Sequence, residues 1–135
     1  MYEEATQRAQ AAAQASDAQR DPINGFIAHC ISVYFDWQFI AALEIVMVAR
    51  TDSDLMDRIG PVIHDYRTAA DEAWIRALKN SGVARPRAER ILSMTLNIVR
   101  GMAVGNLWGV DPTGHKKELL EWTEYVKSTL MARSR

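Results

Sequence analysis

The chain has 135 residues, 48% hydrophobic and 24% charged, a balance that suits one globular domain with its own core. A formal net charge of -1 and a pI near 6.3 supply no positive field to draw it to nucleic acid or anionic lipid. Its single cysteine, Cys30, excludes an intrachain disulfide and a cysteine-built zinc site and fits a reducing compartment. The start MYEEATQRAQ lacks the basic head and apolar core of a secretory signal, so the expected location is the cytoplasm.

Residues 2–20 are rich in Ala, Gln, Glu and Arg and predict one helix whose apolar content, mostly alanine, buries little area. Asp21-Pro22 has the form of an N-cap followed by proline in the first turn. It opens a helix over 22–35 with Ile23, Phe26, Ile27, Cys30, Ile31 and Tyr34 on a buried face. After a short break at Asp36-Trp37, WQFIAALEIVMVAR predicts a third helix, largely central, carrying Phe39, Ile40, Leu43, Val46 and Met47. Thr51 and Asp54 have the spacing of a capping box for a short helix ending near Ile59. Gly60-Pro61 predicts a break or kink, because proline removes a backbone donor and crowds the preceding turn. A long helix then runs to about Asn80 with Tyr66, Ala70, Trp74 and Leu78, and Ser81-Gly82 closes it.

The stretch over 86–110, PRAERILSMTLNIVRGMAVGNLWGV, has no broad polar face and predicts a helix buried all round. Ser93, Asn97, Gly101, Gly105 and Gly109 recur every fourth residue and lie along one line of its surface. Helix-interior glycines are costly, so this line predicts the close approach of another backbone, from this chain or from a second copy. Arg100 in the middle of the segment argues against a membrane span. The turn GVDPTG follows, and a last helix over 115–131 presents Leu119, Trp122, Val126 and Leu130 on one face.

No strand pattern and no internal repeat is present, so the fold class is all-α, a bundle of six or seven helices. The last two long helices are expected to pack antiparallel and to expose more apolar surface than a monomer of this size needs. The expectation is a two-fold homodimer centred on a four-helix bundle, with Ser93, Gly101, Gly105, Gly109, Leu119, Trp122 and Val126 at the interface.

The run AALEIVMVARTDSDLMDRIGPVIHDYRTAADEAW (41–74) resembles the C-terminal regulatory domain of TetR-family transcriptional repressors. In that family an apolar helix ends in an Ala-Arg-Thr-Asp-like turn before a short helix and a long one. The run ILSMTLNIVRGMAVGNLWGVDP (91–112) is similar to the family's next helix, with its Arg-Gly pair and Asp-Pro turn. The family's three-helix DNA-binding module has no counterpart in this sequence, so DNA contact is expected only through a module absent from the chain. The resemblance implies that residues 1–20 are a connecting helix, whose shift on ligand binding alters operator affinity in the family. Residues 21–135 would be an effector-binding and dimerisation domain.

No catalytic, metal or cofactor signature is present. His29, His64 and His115 stand in no ExxH or HxxxH arrangement, and GxSxG, P-loop and GxGxxG patterns are missing, so no enzyme is expected. Cys30 beside His29 is expected to be an apolar filler rather than an activated thiol. Arg85, Arg87 and Arg90 are expected to be a solvated helix start. The aromatic supply is large, and bundle domains bind ligands between helices with such side chains. In the resembled fold Phe26, Trp74 and Trp108 would surround a cavity for a small, mainly apolar effector. His29, Tyr66 and Asn97 would orient the ligand, with Cys30 and Met94 completing the lining. The competing expectation is a free-standing helical protein–protein interaction module with these aromatics packed as ordinary core.

Overall fold

Asp21 fixes the start of the central helix: its carboxylate accepts the backbone N–H of Asn24 at 3.4 Å while Pro22 fills the first turn. The computed structural model describes residues 2–109 and 113–132, and these form an all-α bundle of seven α-helices. They are α1 (Tyr2–Gln14), α2 (Ser16–Arg20), α3 (Pro22–Tyr34), α4 (Trp37–Ala49), α5 (Ser53–Asn80), α6 (Arg85–Gly105) and α7 (Thr113–Tyr125). A 3-10 turn (Asn106–Trp108) follows α6, and α7 widens into a π-helical segment (Val126–Met131). The turn through 110–112 and the basic end at 133–135 lie outside the described residues.

The core sits where α3, α5 and α6 meet. Ile23, Phe26 and Cys30 face Trp74 and Leu78 of α5 and Ile91, Leu96 and Val99 of α6, with Val126 and Leu130 closing it from the C-terminal segment. Helix α1 lies along α5 with Ala9 and Ala13 buried. Lys127 reaches Asp21 at 2.8 Å and ties the C-terminal segment to the first turn of α3. The end of α5 is a Schellman motif: Gly82 donates to the Lys79 carbonyl and Val83 to that of Leu78. Gly82 takes φ 91°, the left-handed region that glycine enters without strain, and the buried Val83 seals the turn.

Five expectations are corrected. The helix over 2–20 breaks at Ala15 (ψ 144°), so that α2 turns and seats Ala18 against Gly25 of α3. Helix α4 is peripheral: Ala49 is its one buried residue, Phe39, Ile40, Leu43 and Val46 are half-buried, and Trp37, Ile45, Met47 and Val48 are exposed. The cap of α5 is Asp52, which accepts from Leu55 N–H at 3.1 Å, while the Thr51 hydroxyl turns back to the Val48 carbonyl. Pro61 does not end a helix. It lies on an exposed face of α5, and Gly60 before it has no Cβ to clash with the proline ring, so the helical conformation survives. The α6 helix is not buried all round, since Ser93, Met94, Asn97 and Gly101 are exposed and its core-facing side is Ile91, Leu92, Thr95, Leu96, Val99 and Met102.

The glycine line is corrected in part. The helix ends at Gly105, and Gly109 lies beyond the 3-10 turn as a left-handed cap with φ 73°. A Cβ placed on Gly101, Gly105 or Gly109 meets nothing within 4 Å, so no close backbone of this chain explains them. Leu119 and Val126 belong to the chain's own core, and Trp122 is half-buried with its indole N–H donating to Thr95 Oγ1 at 2.8 Å. The large apolar side chains these segments leave exposed are instead Met94, Leu107, Trp108, Leu120 and Tyr125.

Candidate ligand site between α3, α5 and α6

Helix spacing places Phe26, His29, Cys30 and Tyr34 on successive turns of α3, facing Tyr66, Arg67, Asp71 and Trp74 of α5. Trp74 is 1% exposed and meets the Phe26 ring edge-on at 5.3 Å between centroids, with the His29 ring tilted at 5.9 Å. Its indole Nε1 is buried and has no hydrogen-bond partner. Two turns along, Arg67 donates through Nε and Nη2 to Asp71 Oδ1 at 3.0 and 2.7 Å, and through Nη1 to the Tyr34 hydroxyl at 3.1 Å. From α6, the Arg100 guanidinium lies 5.7 Å from the centre of the Tyr34 ring, a cation–π distance, and its Nε is buried without a partner.

Of the residues the sequence singles out, the fold brings together Phe26, His29, Cys30, Tyr66 and Trp74. Three others lie elsewhere. Met94 and Asn97 are exposed on α6, so the amide at mid-helix needs no buried partner, and Trp108 stands 76% exposed beyond the end of α6. Tyr34, Arg67, Asp71 and Arg100 are the polar members that sequence reasoning missed. Their signal was an arginine and an aspartate four residues apart on α5, and a lone arginine within an apolar helix read chiefly as evidence against a membrane. A cleft of about 200 Å³ between α1, α2 and α5 is open to solvent and lined by Gln14, Gln19, Ala73, Arg76 and Asn80.

The electrostatics follow from burial. Burial opposes the charge on Arg67, but the Asp71 hydrogen bond and the nearby tyrosines outweigh it and hold its pKa above the ordinary guanidinium value. Burial lowers the pKa of His29, helped by the positive charges of Arg8 and Arg67, so the ring is neutral at pH 7. A histidine whose folded pKa lies below its unfolded value stabilises the fold above about pH 6.5 and loses that contribution on acidification. Thermal melts are therefore expected to fall between pH 7.5 and 5.5 in the wild type and to fall less in His29→Gln. Burial likewise pushes the Cys30 thiol up to about 12, partly offset by Arg67 and Arg100. At pH 8 Cys30 is expected to react with a thiol reagent only as fast as the domain unfolds, which a comparison in native buffer and in urea measures.

Among the described residues no cluster of His, Cys, Asp and Glu could hold a metal ion, and no single helix is long and apolar enough to cross a membrane. What the fold defines is a helical domain with a cationic and aromatic cluster between three helices. The chain is 29% identical, over 111 residues and 82% of its length, to CymR of Pseudomonas putida, an HTH-type transcriptional regulator. The match covers 55% of that protein, so the chain spans about half the length of the curated relative it matches. No family model matches the chain, and no solved structure does.

Proposed function

We propose that these residues are the effector-binding and dimerisation part of a cytoplasmic, TetR-like transcriptional repressor. Its DNA-reading module would lie outside the 135 residues, with 1–20 as the connecting helix and 21–135 as the effector domain. The observation that carries this is the similarity to an HTH-type regulator over most of the chain but only about half of the relative. That similarity also supports a regulator rather than an enzyme. A small effector would bind among Phe26, His29, Cys30, Tyr66 and Trp74, favouring one of two arrangements of the bundle by its differential affinity for them. A second reading, an interaction module with no ligand cavity, draws support from the direct contact of Phe26 with Trp74.

The dimer would use the exposed Ser93, Asn97 and Gly101 and the half-buried Gly105 with Leu107, Trp108, Leu120 and Tyr125 around them. Sedimentation of the wild type at micromolar concentration is expected to give a dimer. Gly101→Leu has open space for its side chain within the chain and a better helix propensity, so it is expected to stay folded but sediment as a monomer. A monomeric wild type, or a dimer indifferent to Gly101→Leu, would remove this interface. Titration of an apolar ligand panel followed by Trp fluorescence tests the pocket, and silence across the panel would favour the interaction module.

A further inference from the structure

Helix α4 lies at the edge of the bundle against α3 and α5, and the side it turns outward is apolar. Trp37, Ala41, Glu44, Ile45 and Val48 follow the i, i+4, i+7, i+8, i+11 spacing by which one helix face packs on another. Trp37 is 72% exposed and Val48 62%, with Ile45 exposed between them and Met47 at the margin. The stripe runs for three turns, about 17 Å, and a contiguous apolar patch of that kind marks an association site. Phe39, on the inward side of α4, meets the Tyr34 ring edge-on, so the stripe points away from the cluster between α3, α5 and α6.

Glu44 is the one charged residue of the stripe, and among the described residues no arginine or lysine forms an ion pair with it. Its place limits what can lie there. A two-fold contact with a second copy would set Glu44 beside its own equivalent near mid-stripe, and like charges facing across an interface oppose association. An anionic lipid surface would meet the same carboxylate, and the five stripe residues include no lysine or arginine. The α4 backbone is hydrogen-bonded within its own helix, so the face offers no ladder to an extended strand and suits a partner whose backbone is likewise satisfied.

We propose that the outer face of α4 docks a helix of another protein, apolar along one side and bearing a single lysine or arginine at mid-length of that side to meet Glu44. Trp37 and Val48 would anchor its two ends, with Ile45 beside the ion pair. The carboxylate supplies register and selectivity, because a helix with an acidic or apolar residue opposite would leave Glu44 desolvated without a partner.

Titration of the whole chain into each of two labelled, lactam-stapled helical peptides of about fourteen residues, read by fluorescence anisotropy, tests this. The peptides share a leucine and alanine stripe and differ only in a central lysine or glutamate. The lysine peptide is expected to bind about tenfold or more tightly than its twin, the scale of one close charge pair. Glu44→Lys is expected to reverse that preference. Val48→Asp, at an exposed position, is expected to keep the wild-type circular dichroism and to lose both peptides. Equal binding of the two peptides, a preference indifferent to Glu44→Lys, or no binding at all overturns the proposal. If Val48→Asp lowers the chain's own association state in sedimentation, a second copy occupies the face and the partner helix is overturned. If a form of the protein lengthened by the DNA-reading module no longer takes the lysine peptide, that module covers the face, and the partner helix is overturned as well.

Discussion

Trp74→Ala is expected to cost the domain roughly 3–5 kcal/mol, the range for deleting a large aromatic side chain from a packed core. The indole is among the largest fully buried side chains, stacked edge-on against Phe26 and flanked by His29, so its removal leaves a void between α3 and α5. Equilibrium urea unfolding followed by circular dichroism measures the loss. A change below about 0.5 kcal/mol, the size of a surface substitution, would mean that the ring does not sit in the core. Trp74→Phe is expected to cost clearly less. It gives up ring area but also removes a buried donor that has no partner, and an apolar replacement at such a position recovers part of the desolvation cost.

The second large effect is expected at Gly25, one turn before His29 on α3. A Cβ there would stand 2.8 Å from Ala18 Cβ and 3.0 Å from Ala18 Cα, and the Cα is backbone that cannot rotate away. The Trp74 ring edge, at 3.4 Å from the same point, closes the other direction. Gly25→Val is therefore expected to destabilise by about 1–3 kcal/mol through overpacking, prising α2 from α3. Gly25→Ala should cost less, because alanine's better helix propensity returns up to about 1 kcal/mol. A Gly25→Val midpoint in urea equal to that of the wild type would rule out the close approach.

The all-α class, the Asp21-Pro22 start, the Ser81-Gly82 stop and the core faces of α3 and α7 were legible because each depends on neighbours in sequence, with the exception of Ile31, which was expected on the buried face of α3 and is 40% exposed. Pro61 misled because the donor it lacks would have met the Asp57 carbonyl, and both residues lie on the exposed face of α5, where water can take the donor's place. Helix α4 misled for a different reason. Its residues are apolar on every side, which specifies burial without naming the partner, and within this chain α3 and α5 cover only part of it. The site was half legible for the same cause. Aromatic residues announce a core, and Phe26 and Trp74 are in it, but whether Asn97 or Arg100 faces inward depends on where α6 is rotated against α3. Residues 97 and 100 stand only about 60° apart around a helix of 3.6 residues per turn, so a small rotation of α6 decides that the amide faces solvent while the guanidinium reaches the Tyr34 ring.

Helix α1 meets α5 through Ala9 and Ala13, side chains of a single methyl that cannot lodge between the turns of a neighbour. A joint of that kind resists being pulled apart but offers little friction along its length, since no bulky group must climb out of a hollow when one rod slips past the other. The grip comes at one end, where the Gln19 amide accepts from Asn80 and donates to the Ala13 carbonyl. The N-terminal rod is thus held by hydrogen bonds at its base and by methyl groups alone along its shaft.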